Sequence, residues 1–303
     1  MVNLKILTWN LWHGLNPYSQ VLMLPVESPL QYWVRREKQV ERLRNWRPSS
    51  TDILCLQEVN PLPSRLSQIQ NALGLLGDST TVNAGIKVGK WGIPPFLNEG
   101  LAILRGSGFA QCAYSERTLS GGAIEKQGPL GVNFHIQLSE RRKCLLFEGN
   151  IGGHRIAVAN LHLHHGPDGI VANLQRKTQE LEELRKWIES RLESWDLLFV
   201  CGDFNCEETS PCLRPLQSLG LALPSAWDAS QNYAVTWDPQ RNKLISHSSH
   251  HANSDAEREW DGAPHSFDRI YLKSKIPIRQ IQIEYLREPE LSDHYGVSLE
   301  VEL

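Results

Sequence analysis

The sequence predicts an α/β fold, and three observations carry the prediction. Several short apolar runs, among them Leu4–Leu11 (LKILTWNL), Ile53–Val59 (ILCLQEV), Arg155–Leu163 (RIAVANLHL) and Leu197–Asn205 (LLFVCGDFN), read as strands buried on both faces. Between the last two, Leu174, Thr178, Leu181, Leu184, Ile188 and Leu192 recur at helical spacing, so strand, helix and strand make a βαβ unit. Each run also ends in a polar side chain: Asn10, Glu58, His162, and Asp203 with Asn205. The carboxyl ends of strands are where α/β proteins display reactive groups.

The totals bound the function more loosely. A chain of 303 residues, 41% apolar and 21% charged, can bury a substantial core, and no composition break divides it, so residues 1–303 read as one catalytic-sized domain. A net charge of −3 does not advertise a nucleic-acid binder at whole-chain level. No apolar run is long enough to span a bilayer and MVNLKILTWN lacks a signal peptide's apolar region, so the expectation is a cytoplasmic protein without stable membrane insertion. Cys55 and Cys201 lie inside apolar runs and read as structural thiols; the spacing of Cys206 and Cys212 fits no zinc pattern.

In chain order, the first strand ends at Asn10, which also fits a plain strand-end cap. Residues 17–30 contain three prolines and read as loop. Trp33, Val40, Leu43 and Trp46 give helical spacing over Gln31–Trp46, stopped by Arg47 and Pro48. After the Ile53–Val59 strand a helix is expected over 63–76, ending near Gly77, and then a Gly- and Pro-rich loop over 83–99 whose Trp91 and Phe96 pack onto its own scaffold. Strands follow at Glu99–Leu104, Phe109–Tyr114, Leu130–Leu138 and Lys143–Glu148, the last two joined as a hairpin by the charged turn Ser139–Arg142. The long helix over Ala172–Ser194 carries Glu182 and Lys186 four apart, a favourable surface pair. Residues 224–265 show no clear element except Ala234–Trp237, and a connection that long is usually functional or mobile. Strands return at Ser266–Leu272, Ile276–Leu286 and Tyr295–Val301.

Collected, the strand-end groups are Asn10, Glu58, His162, Asp203, Asn205, Asp268, Asp293 and His294. With TWNLW (8–12), LCLQEV (54–59), EGLAIL (99–104), ANLHL (159–163), CGDFN (201–205), FDRIYL (267–272) and SDHYGV (292–297), the chain resembles the endonuclease/exonuclease/phosphatase family. That family includes pancreatic-type deoxyribonucleases, abasic-site endonucleases, inositol-polyphosphate phosphatases and neutral sphingomyelinases. The resemblance implies a deoxyribonuclease-like four-layer sandwich: two packed mixed β-sheets flanked by helices. It also implies hydrolysis of a phosphate ester with Mg²⁺, for which Mn²⁺ can substitute. The chemistry agrees: an anionic phosphoryl centre needs a cation to absorb charge, a base for the water and donors for its oxygens.

By the same resemblance Glu58 is the principal metal ligand, with Asn10 and Asp293 beside it. Asp203 and Asn205 handle the attacking water and the phosphate, His294 held by Asp268 acts as acid, base or phosphate donor, and His162 contacts a phosphate oxygen. A neighbouring carboxylate raises the pKa of His294. Relatives carry an Arg or Tyr donor in the segment matching 114–130, where this chain has Tyr114, Arg117 and Lys126; none is assigned.

The substrate stays open among nucleic acid, phospholipid and small phosphodiesters. TWDPQRN (236–242) resembles bacterial neutral sphingomyelinases, but Ile276–Leu291 offers only Tyr285 as an aromatic, and the acidic balance argues against a processive nuclease. Two readings of other classes stand beside this one. HLHHGPD (162–168) also fits a zinc hydrolase in which His162 and His164 share the metal, and the fold also fits an inactive binding module. His164 and His165 read as solvated turn residues, and His250 and His251 as loop.

Overall fold

The structure is a computed structural model describing residues 2–12, 28–46, 48–83, 86–88, 91–93, 99–127, 133–137, 141–225, 235–245, 255–279, 281–288 and 290–303. The chain runs β1 (Asn3–Asn10), α1 (Pro29–Trp46), β2 (Ile53–Val59), α2 (Ser64–Leu73), β3 (Leu76–Asn83), β4 (Ile86–Val88), β5 (Trp91–Ile93) and β6 (Glu99–Arg105). It continues through β7 (Ala110–Ser120), β8 (Ala123–Gln127), β9 (Asn133–Gln137), β10 (Arg142–Ile151), β11 (His154–His162), α3 (Val171–Glu189) and β12 (Leu197–Asp203). It closes with α4 (Arg214–Ser218), α5 (Asp255–Asp261), β13 (Asp268–Ser274), β14 (Ile281–Leu286) and β15 (Gly296–Glu302).

Among the described residues, β14-β15-β1-β2-β6-β3 form a six-stranded sheet, β13-β12-β11-β10-β7 a five-stranded one, and β5-β4-β9-β8 a small third. The two large sheets mix parallel pairs (β1 with β2, β11 with β12) with antiparallel ones. They stack face to face, and strict alternation along each strand decides which side chains meet. Leu4 and Ile6 of β1, Ile53 and Cys55 of β2, Ile156 and Val158 of β11, and Leu197, Phe199 and Cys201 of β12 fill the space between the sheets. Their neighbours Leu7 and Trp9 face outward onto Val40 and Leu43 of α1 and Leu66 and Ile69 of α2. On the opposite outer face Leu198 and Val200 meet Leu181, Leu184 and Ile188 of α3. Helix, sheet, sheet, helix is the four-layer sandwich the sequence resemblance implied.

The βαβ unit forms as expected, with β11 and β12 parallel neighbours. Gly202 makes that pairing feasible: at φ +140°, an added Cβ would lie 1.9 Å from the Leu161 carbonyl oxygen. All six cysteines are free thiols, Cys206 and Cys212 included.

Several expectations are corrected. The helix placed over 63–76 stops at Leu73, because Gly74 adopts φ +67° and caps it with an N–H to the Gln70 carbonyl. The residues that follow form the edge strand β3, whose polar LGDSTTVN carries no apolar run to announce it. The 83–99 loop contains the short strands β4 and β5; Phe96 lies outside the described residues. The hairpin across 139–142 does not form: β9 pairs with β4 and β8, whereas β10 pairs with β7 and β11. Glu182 and Lys186 do not pair either. Glu182 accepts from Arg185 at 2.7 Å and Lys186 donates to Glu183 at 2.9 Å, partners three residues away.

Candidate active site

The parity that builds the core also builds the site. Continuing the inward-facing positions to the strand ends gives Asn10 on β1, His162 on β11, Asp203 on β12 and Asp268 on β13. His162, Asp203 and Asp268 are register partners across three adjacent strands, so they form one row at the mouth between the sheets. Just below them a polar layer ties the two sheets together: Gln57 Nε2 donates to Thr8 Oγ1 (3.0 Å) and to Asn160 Oδ1 (2.7 Å). Asn160 Nδ2 donates in turn to the carbonyls of Leu56 and Ala102, both at 3.0 Å.

Glu58 breaks the rule. Alternation from Ile53, Cys55 and Gln57 would send it outward, but the β2–β6 pairing shifts register between Leu56 and Val59, and Glu58 takes φ +52°. The bulge swings its half-buried carboxylate to Asn10, whose Nδ2 donates to Glu58 Oε1 at 3.0 Å and to Asp203 Oδ2 at 3.1 Å. Asn10 Oδ1 meanwhile accepts from the Trp12 amide at 3.0 Å, which fixes the side-chain amide's orientation.

Asp203, 1% exposed, is the hub. Its Oδ2 also faces His162 Nε2 at 3.4 Å and His294 Nε2 at 3.6 Å, and its Oδ1 accepts from the Asn205 amide at 2.9 Å. Burial pushes this carboxyl up, but His294, His162, Asn10 and the Asn205 amide together hold it below its ordinary value. Asp268 is driven the other way, upward, by burial. Two acids in adjacent register positions repel, and His294 resolves this by reaching both: its Nδ1 is 2.7 Å from Asp268 Oδ2. Burial alone would lower the His294 pKa; Asp268, Asp203 and Asp293 outweigh it and hold the imidazole well above its ordinary value. His162 is the counterpart. Burial, reinforced by the charge of Arg142, lowers it to about 4 despite Asp203 and Glu58.

The loop carrying His294 is stitched to β1. Ser292 Oγ donates to the Asn10 carbonyl, and Trp9 Nε1 to the His294 carbonyl at 3.1 Å. Asp293, 8% exposed, lies beside Ser292 with Oδ1 3.2 Å from its hydroxyl. Six of the eight strand-end residues therefore meet through their side chains, Asn10, Glu58, His162, Asp203, Asp268 and His294, while Asn205 joins by its backbone amide to Asp203 and Asp293 stands next to His294 in the chain.

Thr236 and Trp237, which the sequence offered only within TWDPQRN, also reach the site. Thr236 Oγ1 accepts from the amides of Phe267 and Asp268, both at 3.0 Å, which sets the start of β13. The Trp237 ring lies edge-on 5.1 Å from His294. Both lie in Ala234–Trp237, the one element expected within 224–265; Ala234, His250 and His251 lie outside the described residues. His165 is part-exposed, its side chain 39% accessible, as a turn residue should be, yet it also places Nδ1 3.1 Å from Asn205 Oδ1. Of the donors sought in 114–130, Tyr114 packs against Phe147 in the inter-sheet core and Arg117 pairs with Glu183 on α3; the Lys126 side chain lies outside those described.

His162 and His164 go to different partners, which removes the shared-zinc geometry: His164 Nε2 lies 3.3 Å from Asn173 Oδ1. Among the described residues, Asp203, Asp268 and His294 form a three-residue group whose ligand atoms lie within 4.8 Å of one another. The wider donor set at the mouth, with the carboxylates of Glu58, Asp203 and Asp293, is rich in oxygen, which suits a hard divalent cation. No helix among the described residues is long and apolar enough to cross a membrane.

Buried carboxylates, a cationic imidazole and a neutral one, and amide donors gathered at the strand ends of a two-sheet sandwich define a hydrolase of anionic esters. The chain belongs to the Endonuclease/Exonuclease/phosphatase family, whose model matches residues 7–294, and it is a metal-dependent phosphoric ester hydrolase. Solved structures share the fold. Truncated Caenorhabditis elegans TDP2 is 18% identical, with 99% of this chain and 98% of that one covered at a TM-score of 0.56. A functionally unknown conserved protein from Enterococcus faecalis V583 is 18% identical over 98% of this chain and 99% of that one, at 0.62. The human Nocturnin catalytic domain with bound sulfate is 17% identical over 99% and 94%, at 0.58. No curated protein matches the sequence.

Proposed function

We propose that residues 1–303 act as one catalytic domain that hydrolyses phosphodiesters with Mg²⁺, and that Glu58 is the principal metal ligand with Asp293 assisting. The observation that carries this reading is the unbroken chain Glu58, Asn10, Asp203, His294, Asp268, in which a part-exposed carboxylate stands beside a buried, proton-ordered relay. Asn10 enters as the group that orients Glu58 and Asp203, because its Nδ2 rather than its oxygen faces them. When bound, Mg²⁺ would neutralise charge building on the phosphoryl oxygens.

The chain's own residues do the rest. Asp203, held ionised, takes the proton of the attacking water. His294, held protonated by its three acids and seated on Asp268, donates to an ester oxygen, first as a hydrogen bond and then as the leaving group departs. His162, neutral at pH 7, and the side-chain Nδ2 of Asn205 donate to the remaining oxygens. A protonated donor beside the leaving oxygen supplies the proton that the departing alkoxide needs.

The deciding experiment is a substrate panel with Mg²⁺: supercoiled and abasic-site DNA, RNA, sphingomyelin, inositol phosphates and an aryl phosphodiester beside its monoester. Turnover of diesters over the matched monoester supports the reading. Preference for the monoester contradicts it.

A further inference from the structure

Asn205 is gripped at every polar group it owns. Its amide N–H donates to Asp203 Oδ1 at 2.9 Å, and its carbonyl accepts from the buried Lys177 ammonium. Its side-chain Nδ2 donates to the Leu163 carbonyl at 3.0 Å, and its Oδ1 lies 3.1 Å from His165 Nδ1. Lys177 also donates to the Gly166 carbonyl (2.6 Å) and Asp168 Oδ1 (2.8 Å), so it ties the chain around His165 to the chain around Asn205. Asn205 needs such restraint, since it sits at φ +48° in the left-handed region.

The contacts also settle which atom does what. Leu163 offers only a carbonyl, so it must receive Nδ2, and the atom facing His165 is Oδ1, which only accepts. Nδ1 of His165 therefore carries a proton and donates it. The far side of the ring faces α5: Asp261 Oδ1 lies 3.6 Å from Nε2, and the Trp260 ring stands edge-on at 4.9 Å. Asp261 is itself held, its side chain only 3% exposed and its carbonyl 3.5 Å from Trp237 Nε1.

We infer that His165 is a positioning residue that, together with the Leu163 carbonyl, holds the Asn205 side-chain amide in one rotation, so that the second Nδ2 hydrogen, and not Oδ1, is left for the phosphate. A reversed amide would present an acceptor oxygen to an anion and lose its role as a donor. The segment around α5, without periodicity in the sequence, thus adjoins the catalytic mouth through one histidine. This rests on the phosphodiesterase reading and extends it.

The test uses bis(4-nitrophenyl) phosphate with saturating Mg²⁺ and compares kcat with KM. His165→Ala should lower kcat by about tenfold, with KM within about twofold. The informative pair is His165→Asn and His165→Gln. The amide nitrogen of Asn falls where Nδ1 lies and should recover most of kcat; that of Gln falls where Nε2 lies and should not. Melting midpoints of the three variants separate folding defects from this effect, and if His165→Ala does not fold, the Asn and Gln pair decides alone. Unchanged turnover in His165→Ala, or equal kcat in the Asn and Gln variants, overturns the inference alone. Absent Mg²⁺-dependent turnover in the wild type would remove the functional reading and the inference together, and Glu58→Gln with full turnover would remove only the metal assignment.

Discussion

The two sheets supply the site by different means. On the five-stranded side His162, Asp203 and Asp268 arrive by plain alternation, three register partners in one row locked by the ladder itself. On the six-stranded side Asn10 obeys the same rule, but Glu58 reaches the mouth only through a register break and a left-handed backbone. The regular half is as rigid as the sheet, so damage to it costs stability. The irregular half depends on one residue's left-handed backbone, its carboxylate taking a hydrogen bond from Asn10, so damage to it should cost activity and leave the fold intact.

The largest expected effect breaks the irregular half. Glu58→Gln should reduce turnover by about a thousandfold, with an unchanged urea midpoint because the side chain is only half-buried. Steady-state kinetics beside a denaturation curve measures both. Comparable losses in stability and activity would erase the distinction between the halves.

Gly202→Ala attacks the regular half. Its Cβ would meet the Leu161 carbonyl oxygen at 1.9 Å, so β11 and β12 must part beside the row of His162, Asp203 and Asp268. We expect a loss of about 3 kcal/mol in urea unfolding, with turnover falling in step.

The two histidines sharpen the contrast through pH. His162 binds its proton near pH 4 in the folded protein, against 6.5 ordinarily. Between those values the unfolded chain holds a proton that the folded one lacks, so stability should fall as pH drops through this window, by up to about 3 kcal/mol. His294, raised by its acids, has the opposite sign: its contribution is full below 6.5 and lost as pH rises through its folded value. Unfolding in chelator at pH 4.5 and 7 should show the first slope, and His162→Gln should abolish it.

The smallest effect concerns the layer joining the halves. Asn160→Ala leaves Gln57 Nε2 with one partner fewer and strips the Leu56 and Ala102 carbonyls of theirs, at a cost of about 2 kcal/mol by thermal or urea unfolding. A neutral outcome would mean that the sheets hold register without it.

What the sequence disclosed follows the same division. Strands that are apolar on both faces announced themselves, and with them the polar residues at their ends, because burial dictates both composition and where the chain must emerge. Parity along LLFVCGD, read against RIAVANLH, places Asp203 and His162 on one face without any structure. Glu58 was legible as a strand-end acid but its facing was not, since nothing in ILCLQEV signals a bulge. The edge strand β3 carries no apolar signature, and the 139–142 turn had the composition of a hairpin while its strands belong to different sheets. His165, Thr236 and Trp237 act through tertiary contacts, which no local pattern reports, although TWDPQRN had marked out the segment of the last two.

The most direct test of the central claim is Mg²⁺ binding followed by calorimetry in the wild type and in Glu58→Gln, with aryl phosphodiester turnover measured on the same samples. The account predicts saturable binding that tracks turnover in the wild type, and loss of both in the variant. Turnover independent of Mg²⁺, or undiminished binding in Glu58→Gln, would contradict it.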